Sequence, residues 1–184
     1  MTEEQINERT LFLIGEIAEK NTSEIISAII EINKNDRKKE QELKNYERKP
    51  ILLYINSPGG VCYDGWSLID IMLLSKTPIT TIALGKAMSM GLTIFMAGSK
   101  RVIGEHATLM FHGVSSGSEG YINESKEQLD QAFKIQNNVL KFIAGRSKVT
   151  EEELTKYCNT KTCWYIEKDE AIKKHFATDT LEDI

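Results

Sequence analysis

Ile51-Leu-Leu-Tyr-Ile-Asn-Ser-Pro-Gly-Gly60 decides the fold. Its apolar residues run without alternation, and Asn-Ser-Pro-Gly-Gly then breaks the chain. A short continuous apolar run closed by turn residues reads as a strand covered on both faces, as in a parallel α/β sheet. After the break, Leu68, Ile69, Met72 and Leu73 recur at helical spacing and Pro78 stops the helix. Ile79 to Leu84 is the next strand, Gly85 to Gly91 a turn, and Leu92 to Met96 a short buried helix closed by Gly98. Upstream, Thr10 to Ile14 reads as a buried strand. Asn21-Thr-Ser-Glu24 has the form of a capping box, and Ile25, Ile26, Ile29 and Ile30 follow on one helical face. Residues 33–49 carry almost no apolar side chain and read as a solvated helix end plus connector.

Downstream, Arg101 to Ile103 and Thr108 to Phe111 are two further short strands, and Ser115 to Gly120 is a polar loop. Tyr121 to Ala144 is a long polar helix with Leu129, Phe133, Gln136, Leu140 and Ile143 on one side. Thr150 and Glu153 form a second capping-box pattern, and the remainder reads as helical and compact. Strands alternating with helices predict an α/β fold with a mainly parallel sheet. The length of 184 residues suits one domain over 10–184, preceded by a short polar segment over 1–9.

Composition excludes several classes. Lys and Arg number 23 against 27 Asp and Glu, so there is no basic excess for nucleic acid. No apolar run reaches the ~18 residues that span a membrane. The start, Met1-Thr-Glu-Glu-Gln, is acidic and is no signal peptide. The sequons at Asn21 and Asn123 are then chance matches. Cys62, Cys158 and Cys163 are odd in number and form no CxxC pair. They fit a reducing, cytoplasmic compartment and imply neither a disulfide framework nor a metal site. No cofactor is expected.

Three places carry chemistry. Ala87-Met-Ser-Met-Gly91 puts a serine at a strand-to-helix turn, presented outward beside small residues. Ser57-Pro-Gly-Gly60 exposes backbone N–H groups after a strand, and one of them with the N–H of Met90 can form an oxyanion hole. His112 ends the strand Thr108-Leu-Met-Phe111. Imidazole titrates near neutrality and can take the proton that a serine hydroxyl must lose. The other two histidines, His106 and His175, lie in polar surroundings and read as surface residues.

Together, Leu53 to Gly60, Gly85 to Gly91 and Leu109 to His112 closely resemble the Clp protease proteolytic subunit (ClpP) family in order and spacing. The likeness runs from about Arg9 to Asp179. It implies a crotonase-like spiral of βαβ units and a protruding handle helix, with the handle region at about 115–146. It also implies a homo-oligomer of stacked heptameric rings, an ATPase unfoldase partner, and serine endopeptidase chemistry on unfolded polypeptides. Carried over, Ser89 is the nucleophile and His112 the base, with the N–H groups of Gly60 and Met90 as the oxyanion hole. The segment from Ser115 to Glu119 would lie near the bound peptide. The family's third catalytic residue is an Asp, and aligning on Tyr165 and Glu170-Ala171 puts Cys163 in its place. Asn159 or Asp169 would have to serve from off register, or the pair acts as a dyad. The family's usual Gln-Pro after the histidine is here Gly113-Val114.

Four alternatives stand beside the active peptidase. One is a catalytically weak or inactive ring subunit that lacks the triad acid. A second is an acyl-CoA enzyme of the crotonase fold. An α/β-hydrolase would pair Ser89 with His175, and a Ser–Lys mechanism would use Lys86.

Overall fold

The computed structural model describes residues 9–117 and 121–181. Most of the short N-terminal segment, and Ser118 and Glu119 of the loop expected beside the peptide, lie outside the described residues. Seven strands and six helices are found among the described residues. They follow the order β1 (Thr10–Ile14), α1 (Glu19–Glu42), β2 (Ile51–Ser57), α2 (Cys62–Leu74), β3 (Ile79–Met88), α3 (Met90–Met96), β4 (Lys100–Ile103), β5 (Thr108–Phe111), α4 (Ile122–Ala144), α5 (Glu151–Thr160), β6 (Trp164–Ile166), α6 (Lys168–Lys173) and β7 (Asp179–Thr180). The expected mixed α/β architecture with a mostly parallel sheet is present. The main path runs β1-β2-β3-β4-β7, all parallel, with β5 parallel to β3 and β6 antiparallel to β5.

β3 is the pivot. Thr80 to Ala83 pair with β4, whereas Lys86 to Met88 pair with β5. Gly85, at φ +68, lies between the two stretches. A left-handed φ there suits glycine and lets one strand feed two neighbours in succession. Residues 85–88 read as turn because glycine and lysine break the apolar run. In the fold they continue the strand and carry it to Ser89.

Ile51, Leu53 and Ile55 of β2 are fully buried against the face that also covers Ile25 and Ile29 of α1 and Leu68 and Ile69 of α2. The opposite face is only partly covered: Leu52 and Tyr54 line a shallow cavity with Ile82 and Val102. β2 is therefore not buried on both sides, as its composition suggested. β1 is an edge strand in which Phe12 is 56% and Ile14 62% exposed, and only Leu13 is buried.

α1 begins earlier than the capping pattern suggested. Ala18 is its N-cap, and Asn21, at the third helical position, reaches back to accept from the Ala18 N–H at 3.0 Å. Its far end runs to Glu42, through the stretch read as solvated, and buries Asp36 completely. The Asp36 carboxylate is bridged by Arg9 and accepts from Tyr46 Oη at 2.7 Å and Thr77 Oγ1 at 2.6 Å. Burial pushes its pKa up, but the hydrogen bonds from Arg9, Thr77 and Tyr46 outweigh that and hold it below the ordinary value. At α5, Thr150 Oγ1 accepts from the Glu153 N–H, while the Glu153 carboxylate turns to Lys174 instead of closing the box.

The C-terminal part contains strands as well as helices. Phe176 packs edge-on to Trp164, which stacks on Tyr157. Arg101, buried, donates to the carbonyls of Phe176 at 2.7 Å, His175 at 2.9 Å and Arg146 at 3.1 Å. Only the last turns of α4 are held in the core, through Val139, Leu140 and Ile143. Leu129 and Phe133, expected on its apolar side, are 52% and 54% exposed. No helix among the described residues is long and apolar enough to cross a membrane.

Candidate active site

Ser89 joins β3 to α3 with φ 53 and ψ −123, a conformation rare for a side chain larger than glycine. A residue held there is supported by its surroundings, and such strain clusters at functional turns. The Ser89 N–H donates to Met110 O at 2.8 Å, which ties the turn to β5 two residues before His112. Its carbonyl accepts from Leu92 N at 3.0 Å and opens α3.

The glycine loop presses on this turn from the other side. A Cβ on Gly59 would lie 2.7 Å from Ser89 Cβ and 2.9 Å from Met88 O. Gly60, at φ +152, has room for a Cβ only 2.3 Å from Ile17 O. Both positions therefore demand glycine for space as well as for φ. The loop is pinned by Ile17 N to Gly59 O at 2.8 Å and Val61 N to Ile17 O at 2.9 Å, while Gly59 N donates to the buried Ser57 Oγ at 3.1 Å. Neither the Gly60 nor the Met90 N–H donates to another described residue.

Gly60, Ser89, Met90 and His112 line one cavity of about 220 Å³, together with Cys62, Thr93, Phe111, Val114, Ser115 and Val139. Ser89 Oγ and the His112 ring share it without a direct hydrogen bond to each other among the described residues. Cys62 is half-buried in the wall, and burial raises its thiol pKa. That shift favours the thiol over the thiolate, which is the reactive form of cysteine.

Three candidates for the third position separate clearly. β5 and β6 pair antiparallel as Leu109↔Ile166, Met110↔Tyr165 and Phe111↔Trp164. One further step in that register sets His112 opposite Cys163, which is exposed. Residues directly opposite in an antiparallel pair point to the same face, with Cβ atoms ~5 Å apart. Asp169 lies past the other end of β6, its side chain 98% exposed beside Lys168. Asn159 is exposed in the last turn of α5. His175, His106 and Lys86 do not line the cavity. That removes the geometric support for the hydrolase-order and Ser–Lys alternatives.

Two wall residues escaped the sequence reading. Thr93 and Cys62 belong to helices whose pattern reports only the core face. Gln136 was visible as the one polar residue on the apolar side of α4. Its Oε1 accepts from the Val114 N–H at 3.2 Å.

The fold is thus an α/β protein whose sheet branches at β3, with a serine turn at the branch and a histidine at the end of the adjoining strand. The chain belongs to the Clp protease family, whose model matches residues 1–181. It is also similar to the "ATP-dependent Clp protease proteolytic subunit" of Pleurastrum terricola, at 30% identity over 142 residues, covering 76% of this chain and 67% of that protein.

Proposed function

We propose that this chain is the subunit of a serine endopeptidase, with Ser89 as nucleophile and His112 as general base. The carrying observation is the Ser89 turn, strained to φ 53, in one cavity with His112 and against the Gly59-Gly60 loop. In the reaction, Ser89 Oγ attacks the peptide carbonyl carbon as His112 takes the hydroxyl proton. The carbonyl oxygen becomes an oxyanion between the N–H groups of Gly60 and Met90, which have no competing acceptor among the described residues. Collapse expels the amine, protonated by the His112 imidazolium. Water then hydrolyses the acyl-enzyme with His112 again as base.

The substrate is an unfolded polypeptide, cleaved within a homo-oligomeric chamber of stacked heptameric rings and delivered by an ATPase unfoldase. The exposed Leu129 and Phe133 on α4 support self-assembly, because large apolar side chains on a long projecting helix favour cover by a second copy. Three free cysteines suit a cytoplasmic workplace. A second reading, a weak or inactive ring subunit, is favoured by one observation: the register opposite His112 offers a thiol where a triad needs a carboxylate. A fluorophosphonate probe with intact-mass readout tests the proposal. Expected is one adduct on Ser89, lost in Ser89→Ala. An unlabelled assembled protein, with control proteases labelled, overturns the active-enzyme reading.

A further inference from the structure

We infer that Gln136 is a positioning residue for His112; the inference rests on the Ser89–His112 chemistry proposed above. The β5–β6 pairing ends at Phe111↔Trp164, so His112 stands just past the last paired residue of its strand. Gly113 follows, and glycine places little restraint on the chain it joins. Two features restrain the chain there. Val114 N–H donates to Gln136 Oε1 at 3.2 Å. Gly113 is also wedged between helices: a Cβ there would lie 3.1 Å from Gln136 Oε1 and 3.2 Å from Cys158 Cα.

Gln136 comes from the part of α4 that is anchored, one turn before the buried Val139 and Leu140. Its amide is therefore a firm point to which the segment after His112 is tied. In a full triad a carboxylate orients the imidazole. Here the opposite residue is the thiol Cys163, so the direction of the ring depends more heavily on the backbone that carries it. Gln136 holds that backbone from the helix side and touches no reacting atom.

The test compares Gln136→Met, which keeps length but has no amide acceptor, with Gln136→Glu, which keeps an acceptor oxygen. The probe is the fluorophosphonate, read as a labelling rate, alongside kcat and KM on a small fluorogenic peptide. A neutral hydrogen bond contributes on the order of a five- to tenfold change. Gln136→Met is expected to lower labelling rate and kcat by that factor with KM unchanged, and Gln136→Glu to restore most of the loss. A second arm uses Val114→Pro, which removes the donor. In that background Gln136→Met is expected to cost nothing further. Equal labelling of wild type and Gln136→Met overturns the inference. So does an undiminished loss in the Val114→Pro background, or a Gln136→Glu variant as slow as Gln136→Met. If Gln136→Met does not fold, Gln136→Glu at the wild-type rate beside a slow, folded Val114→Pro sustains it, and Val114→Pro at the wild-type rate overturns it. A wild type that takes no label while controls react fails the Ser–His reading itself, and the inference falls with it.

Discussion

Replacing Cys163 with Asp should raise turnover. Continued one residue past Phe111↔Trp164, the β5–β6 register would set this side chain opposite His112 and on its face. An imidazolium forms in the transition state as Ser89 loses its proton, and in the native chain no carboxylate stands opposite it in that register. A carboxylate ~4 Å away would interact with it by ~4 kcal/mol at an effective dielectric of about 20. Cys163 is exposed, so solvent screening reduces that sharply, to roughly 1 kcal/mol or less. At about 1.4 kcal/mol per decade, the gain is up to about fivefold in kcat. Removing the acid from another triad costs about ten-thousandfold, so a larger rise is the mark of a well-aligned bond. The assay is kcat on a fluorogenic peptide for wild type, Cys163→Asp, Cys163→Asn and Cys163→Ser. Only Asp should gain, because Asn matches its size without its charge. If Asp and Asn behave alike, or if Asn159→Ala abolishes a turnover that Cys163→Asp leaves unchanged, the register argument is wrong. An inactive native subunit that gains activity with Asp would instead confirm the register and identify the missing acid as the cause.

Other outcomes follow from the same geometry. Gly60→Ala should abolish peptide turnover, because its Cβ would sit 2.3 Å from Ile17 O at a φ of +152, and circular dichroism should show whether the fold survives. Asp36→Ala should destabilise the chain by about 2–4 kcal/mol in denaturant titrations, since it removes the carboxylate that bridges Arg9 and accepts from Tyr46 and Thr77. Because the folded pKa of Asp36 lies below its unfolded value, its contribution is complete above the unfolded pKa of about 4. That contribution falls away as pH drops through the folded value, so the wild-type advantage over Asp36→Asn should shrink in acid melts. Phe133→Lys should lower the assembly mass in light scattering, because a cation on the exposed apolar stripe opposes its cover by another copy.

The fold was legible where the chain repeats a simple period. β5, α3 and α4 lie within two residues of their expected bounds, since apolar spacing and glycine punctuation govern them directly. β3 was cut short because Gly85 and Lys86 look like turn residues, yet Gly85 bridges the two paired stretches and Lys86 pairs with β5. β6 and β7, of three and two residues, carry no period of their own and exist through their partners. The burial of Asp36 was hidden in a highly charged stretch, because its partners Arg9, Tyr46 and Thr77 are distant in sequence. Ser89, His112, Gly60 and Met90 stood out as turn and strand-end residues, and the structure brings them to one cavity. Cys62 and Thr93 did not, since a helix pattern says which face is apolar and not which residue meets a distant loop.

The three carbonyls around Arg101 carry a consequence for anyone shortening or tagging this protein. Two of them belong to His175 and Phe176, and the next residues lead into β7 beside β4. The guanidinium keeps its charge at any working pH, and no carboxylate neutralises it among the described residues. A chain cut before His175 would leave a cation in the interior with most of its ligands gone. The stretch from His175 to Thr180 therefore acts as a plug for β4. Any cut or insertion should leave His175 to Leu181 intact, and one made inside that stretch should cost the domain.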